Sequence, residues 1–168
     1  MASKKGIIIT AAIAAAVIGA SSLVWIIPQS NLGSYSNPRS FQDTFSSVYS
    51  QNNDLATAIN GTFQKWKIGQ VSSQIMLQNI TQAAQDTSEL KNKLAGSNPS
   101  SEYQKSFSLY EGALDSFGTY LSKLKSYVDS NQQVNATSST PQDSQITSAW
   151  LDWQKQVDES VGALPVGS

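Results

Sequence analysis

The stretch Asn98–Val128, NPSSEYQKSFSLYEGALDSFGTYLSKLKSYV, carries the clearest pattern in the 168-residue chain. Large apolar residues recur in it at alternating spacings of four and three, which places them on one face of an α-helix: Tyr103, Phe107, Tyr110, Leu114, Phe117, Leu121, Leu124 and Val128. Asn98 can cap this helix, and Pro99 can take its first position, where the missing N–H costs nothing. The stretch therefore predicts a long helix with one buried face.

Two more helices are predicted upstream of this one. Asn37 followed by Pro38 gives the same start signal, and the stripe that follows consists of Phe41, Phe45, Val48, Asn52, Leu55, Ile59, Phe63 and Trp66. The second helix, which stops at Gly96, is expected to direct inward Ile75, Met76, Ile80, Ala83, Ala84, Leu90 and Leu94. Asn52 is the one polar residue in the first stripe, where it can fix helix register or face a water molecule.

A turn is predicted between these two helices, in the segment KIGQV at 67–71. Gly69 tolerates the left-handed conformation that ends helices, and Ser72 can cap the next helix. Val71 and Met76 have the spacing of a hydrophobic staple. The alternative is one unbroken helix from Pro38 to Ala95, because the four-three spacing continues through the turn.

A fourth helix is predicted after the polar loop at 131–139. Thr140, Pro141 and Asp143 form its capping arrangement, and its stripe consists of Ile146, Trp150, Trp153, Val157, Val161 and Leu164. Four amphipathic helices with short connections predict an all-α fold, an antiparallel up-down-up-down four-helix bundle over residues 37–164 with a tail at 165–168. This topology groups Trp66, Ile75, Tyr127 and Trp150 at one end, and it groups Phe45, Leu90, Phe107 and Val157 at the other.

The N-terminal run Gly6–Ile27, GIIITAAIAAAVIGASSLVWII, contains 22 residues and no charge. A helix of this length spans about 33 Å, close to the roughly 30 Å hydrocarbon core of a bilayer. Lys4 and Lys5 precede the run, and the next basic residue after it is Arg39. The positive-inside rule then predicts a cytoplasmic stub at 1–5, a transmembrane helix at 6–27, a linker at 28–36 and an extracytoplasmic bundle.

A cleaved signal peptide is the alternative for this segment. Ala20, Ser21 and Ser22 offer a processing site of small residues. The apolar run continues through Ile27, however, which makes it longer than the roughly 7 to 15 residues of a signal h-region. We therefore expect a retained anchor, and a mature chain that begins near Ser21 would contradict it.

Composition excludes several classes of function. The chain has no cysteine and no histidine, so disulfides, thiolate nucleophiles, imidazole bases and Cys- or His-dependent metal sites are excluded. Charged residues make up 14% of the chain against a typical value of about 25%, and the sequence has no basic stripe that would bind a nucleic-acid backbone. We expect no cofactor, no metal and no nucleic-acid partner.

Few residues point to a specific site. Three N-x-S/T sequons occur, of which Asn135 lies in the predicted loop, whereas Asn60 and Asn79 lie within predicted helices and are weaker candidates for glycosylation. Glu111 and Asp115 are four residues apart and could form a carboxylate pair, but they flank the apolar stripe. We expect them on a solvated face.

Three tryptophans, Trp66, Trp150 and Trp153, are candidates for partner binding, since tryptophan is enriched in interface hot spots. All three fall on apolar stripes, so core packing is the expected reading. In either case they belong to the bundle and not to a reactive centre.

The span that ends in VWIIPQ, together with the Ser-, Asn- and Gln-rich outer part, resembles the membrane-anchored small surface proteins of archaea, particularly ammonia-oxidising ones. WKIGQVS at 66–72 and NPSSEY at 98–103 are similar to a turn and a helix start in uncharacterised prokaryotic helical-bundle domains. The resemblance implies an extracytoplasmic helical bundle. It implies no activity and carries over no functional residue.

These observations predict a non-enzymatic interaction or structural protein of the cell envelope, which is tethered to the lipid bilayer and contacts a protein partner. A first alternative is an accessory subunit of a larger membrane complex, because Ala12, Ala16 and Gly19 allow close helix approach. A second is a ligand-binding sensor, for which the stub of about five residues is too short to hold an output domain.

Overall fold

The computed structural model describes residues 41–131 and 141–165, with side chains from residue 143 onward in the second range. The described residues belong to one compact unit, Pro38–Ser168, and contain no β-strand. They form four helices, which are α1 (Phe41–Lys67), α2 (Ser73–Ala95), α3 (Gln104–Ser130) and α4 (Pro141–Gly162). The predicted all-helical bundle is confirmed.

Side-chain contacts give the directions of the helices. Aromatic pairs show that α1 and α3 run parallel, since Phe41 meets Phe107 near their starts and Trp66 meets Tyr127 near their ends. The Ser106 hydroxyl of α3 donates to the Ser160 carbonyl near the end of α4, so α3 and α4 are antiparallel. Lys93 of α2 likewise donates to Ser47 of α1. The helices therefore alternate up and down, as predicted.

The core follows the stripe of α3. Six of its predicted positions are buried, namely Tyr110, Leu114, Phe117, Leu121, Leu124 and Val128. Tyr103 and Phe107 are half-buried at its start, and Ala113, Tyr120 and Tyr127 widen the buried face toward neighbouring helices. In α1 every predicted stripe residue is buried except Leu55, which is half-buried beside the buried Ala56.

The turn between α1 and α2 is also confirmed, and the single unbroken helix is wrong. Gly69 has φ of +74°, the left-handed conformation expected of it. The Ser72 side chain accepts a hydrogen bond from the Ile75 backbone N–H, as a helix cap does. The chain therefore reverses at residues 68–72.

Three residues predicted to face inward are exposed instead. Ile75 directly precedes the buried Met76, and Ala84 directly follows the buried Ala83. Because successive residues on a helix are rotated by about 100°, both side chains turn away from the core. Val161 is exposed because Ser160 takes the buried position beside it. The small Ser160 lies against Ser106 of α3, and a larger side chain would hold the two helices apart.

The predicted start of α3 at Asn98 and Pro99 is wrong. Asn98 adopts φ of +47° and thus cannot serve as an ordinary cap with extended backbone. Tyr103 and Gln104 donate backbone hydrogen bonds to the residues three positions earlier, so a tight turn fills 100–103. The α-helix begins only at Gln104.

The grouping of large residues at the ends of the bundle is confirmed in part. Trp66 packs with Tyr127 at ring centroids 5.8 Å apart. Trp150 instead contacts Tyr120 and Trp153, which lie nearer the middle of the bundle. Ile75, exposed to solvent, is not part of the cluster.

Several predicted segments lie outside the described residues. They are the stub at 1–5, the transmembrane helix at 6–27, the linker at 28–36, the helix start at Asn37 and Pro38, the loop with Asn135, the cap Thr140 and most of the tail. Within the two described ranges, no helix has the length and apolarity needed to cross a bilayer.

Substitutions at two glycines test whether the left-handed conformation of Gly69 is needed for stability. Replacing Gly69 by Ala should destabilise the chain by about 1 kcal/mol, because a Cβ is strained at positive φ. Gly61 lies inside α1, where an added Cβ meets nothing within 4 Å, so Gly61→Ala should stabilise the chain by about 0.5–1 kcal/mol. Urea unfolding followed by circular dichroism measures both, and equal effects of the two changes would contradict the turn.

Candidate functional site

The first tryptophan candidate, Trp66, is enclosed at the end of α1. It is 2% exposed, stacks on Phe63 and meets Tyr127 edge-on. Its indole N–H donates to the Ser73 hydroxyl at 3.0 Å, which fastens the end of α1 to the start of α2. Trp66 therefore stabilises the hairpin, and its role in partner binding stays a prediction.

The other two tryptophans pack between α3 and α4. Trp153 is buried against Phe117, with ring centroids 5.2 Å apart. Trp150 is half-buried and meets Tyr120 edge-on at 5.2 Å. Both rings contribute to the core between α3 and α4.

A polar link crosses the core between α1 and α4. The Trp153 indole N–H donates to the Asn52 side-chain oxygen at 3.1 Å, and Asn52 is fully buried. Of the two roles predicted for Asn52, this arrangement matches the fixing of register, because the bond forms at only one alignment of the two helices. Sequence analysis identified Asn52 but could not identify its partner, which is 101 residues away.

Among the residues that the structure describes, two buried side-chain polar atoms have no hydrogen-bond partner, the Asn52 side-chain nitrogen and the Tyr110 hydroxyl. Burial raises the pKa of Tyr110, and the nearby Tyr49 raises it further. Burial alone raises the pKa of Tyr120. Both phenols consequently stay protonated in the folded domain above the ordinary tyrosine pKa of about 10.

The carboxylates lie on the surface. Asp115 is exposed and pairs with Lys91 of α2 at 2.5 Å, so it joins two helices, whereas Glu111 is half-buried one turn earlier on α3. Lys67 lies 3.8 Å from Asp143 and joins the end of α1 to the start of α4. In the described part of the chain, no three carboxylates gather in a way that could hold a metal ion.

The sequons Asn60 and Asn79 both lie on helices and are half-buried. Asn60 accepts a long hydrogen bond from Gln64 one turn later. Asn135, the stronger candidate for glycosylation, is outside the described residues. Glycosylation of these residues stays a prediction.

The candidate contact surface is the hairpin tip, which we define as Lys65–Ile75. It presents two large apolar side chains to solvent, Ile68 at 68% exposure and Ile75 at 48%. The other large apolar side chains exposed in the described residues are Leu151, at 56%, and Val161, both on α4. The hairpin tip also contains two basic residues, the exposed Lys65 and the half-buried Lys67. The exposure of Ile75 differs from its predicted place in the core, and the only signal for Ile68 in the sequence is its position in the predicted turn.

The hairpin tip is held rigidly by backbone hydrogen bonds. Gly69 N–H donates to the Trp66 carbonyl and Gln70 N–H donates to the Lys65 carbonyl, both at 2.9 Å. This pair of bonds is the Schellman motif that ends helices at a left-handed glycine. Because Ile68 directly precedes Gly69, the motif fixes its backbone, and its exposure is a defined feature of the turn.

Two shallow grooves lie on the surface of the described helices. One follows α2 and is lined mainly by uncharged residues such as Gln74, Gln78 and Gln82. The other lies between α3 and α4, where Gly112 leaves room for the Gln156 side chain over the helix. Neither groove gathers reactive groups at a common point.

Comparison with known protein families, with curated proteins and with solved structures found no match.

The polar link between α1 and α4 can be tested by removing one partner. Asn52→Ala leaves the Trp153 N–H buried without an acceptor, which costs about 1–3 kcal/mol in addition to the lost packing. Urea unfolding of Asn52→Ala, Trp153→Phe and the double variant gives the coupling between the two side chains. Strictly additive losses would mean that the bond contributes nothing to stability.

Proposed function

We propose that the protein is a non-enzymatic, membrane-anchored interaction protein of the cell envelope, whose helical bundle stands outside the cytoplasm and contacts a protein partner. The observation that carries the proposal is the hairpin tip. Ile68 on the turn and Ile75 at the start of α2 are large, apolar and exposed, and backbone hydrogen bonds fix the turn between them. A fixed apolar surface is typical of protein contacts.

The chemistry of the remaining side chains supports the same proposal. Lys67, Asp143, Lys91 and Asp115 join helices to one another. The aromatic rings fill the core, and the buried phenols are held protonated by burial. These groups therefore stabilise a scaffold, which is what a domain that presents a contact surface requires.

The anchor and the orientation rest on the sequence. The uncharged run at 6–27 is long enough to span a bilayer, and Lys4 and Lys5 favour retention of the preceding residues in the cytoplasm. The bundle that follows would then project from the outer face of the membrane. It contains no cysteine, and its hydrophobic core is packed without disulfides.

The orientation can be tested by proteolysis of intact cells that produce the chain with a tag at each end. We expect added protease to remove the C-terminal tag and to leave the N-terminal tag protected, with the protein in the membrane fraction. Protection of the C-terminal tag in cells whose envelope admits the protease would overturn the proposed topology.

A matched variant tests the anchor itself. Ala12→Arg together with Ile18→Arg places two charges in the apolar run, each costing about 2.5–3.5 kcal/mol at the centre of a bilayer, so membrane retention should be lost. Intact mass of the unmodified chain separates an anchor from a cleaved signal peptide. A mature chain that starts near Ser21 would exclude the anchor.

The role of the hairpin tip can be tested by site-specific photo-cross-linking in producing cells. A cross-linking amino acid at position 68 or 75 should capture the same partner, whereas one at the exposed Thr119 in the middle of α3 should not. Changing Ile75 to Ser should reduce the yield from position 68 about tenfold, because it removes roughly 1.5 kcal/mol of apolar burial.

The control at position 119 distinguishes a specific contact from random encounter. Equal products from positions 68, 75 and 119 would show random encounter and would remove the hairpin tip from the proposed function. Gln78→Ser, on the exposed polar face of α2, serves as the matched substitution and should leave the yield from position 68 unchanged.

A further inference from the structure

We propose that α1 opens away from α4 as a unit, while α2, α3 and α4 stay packed, so that the bundle has a partly open state that forms well before global unfolding. The proposal rests on how α1 is held and does not depend on the proposed function. Local opening of one structural unit is a general property of folded domains wherever its contacts are weakest.

The contacts between helices are uneven. The backbones of α3 and α4 approach each other most extensively, with the small buried residues Ser106 and Ser160 at their contact. The backbones of α1 and α4 do not approach each other as extensively as those of α3 and α4. These two helices are joined by long side chains, through the Trp153–Asn52 hydrogen bond and the Lys67–Asp143 ion pair at 3.8 Å.

The unpaired buried polar atoms lie where α1 meets the rest of the core. The Asn52 side-chain nitrogen belongs to α1 itself, and Tyr110 packs against Phe45 and Tyr49 of α1, with ring centroids 4.9 and 6.3 Å away. A buried donor or acceptor without a partner lowers the stability of the closed state. When α1 moves away from α4 and from α3, both groups reach water and that penalty is removed.

Aromatic packing opposes this opening and keeps the closed state dominant. Phe45 packs on Tyr110, and Phe63 meets Tyr127 edge-on at 5.9 Å, so α1 is attached to α3 at both of its ends. Opening therefore exposes apolar rings and is populated by a minority of molecules. Its product is a surface that the closed bundle hides, with Asn52 and Trp153 at its centre.

Hydrogen exchange of the full chain in neutral detergent micelles tests the proposal. We expect the amides of α1 to exchange through an opening that leaves α3 protected, and the difference should disappear only near the denaturant midpoint. Tyr110→Phe removes one unpaired hydroxyl from the closed state and should slow exchange in α1 about tenfold, with α3 unchanged.

Tyr120→Phe is the matched control, because it removes the hydroxyl of a buried tyrosine from the same helix, and that ring packs on Trp150 of α4. It should leave exchange in α1 within twofold of the parent chain. Exchange of α1 and α3 amides in a single step in the parent chain would overturn the proposal. An equal response of α1 to both substitutions, or no response to Tyr110→Phe, would overturn it as well.

Discussion

The burial of the α3 stripe is the constraint on which the rest of this domain depends. α3 contacts each of the other helices, with Tyr110 and Tyr127 facing α1, Asp115 joined to α2, and Ser106 bonded to α4. Its apolar face is too wide for one neighbour to cover, and three helices surround it. Because no disulfide is possible in this chain, the order of the bundle follows from this packing and from a few polar bonds.

Much of this arrangement could be predicted from the sequence because helical periodicity is local. Spacings of three and four identified the buried positions of α1 and α3, and Gly69 with Ser72 identified the turn between α1 and α2. The errors occurred where two adjacent apolar residues competed for one buried position, as Ile75 did with Met76. They also occurred where a start signal was present but the backbone took another conformation, as at Asn98.

The candidate site was less predictable, for two physical reasons. The exposure of Ile68 depends on a turn whose rotation relative to the core is fixed by hydrogen bonds across the hairpin, and sequence spacing carries no information on that rotation. The partner of Asn52 lies on α4, and only the assembled bundle brings the two side chains together. Pairings between distant helices depend on the relative shift of whole elements, which a local pattern does not determine.

Each helix of the bundle packs chiefly against its neighbours in the sequence, and this order has a consequence for how the chain reaches its native state. Contacts between neighbouring elements close short loops, so the entropic barrier to folding is small and such helical proteins fold within microseconds to milliseconds. A polypeptide delivered N-terminus first could therefore assemble its hairpins one after another. The contact of α1 with α4, which closes the longest loop, would be the last to form.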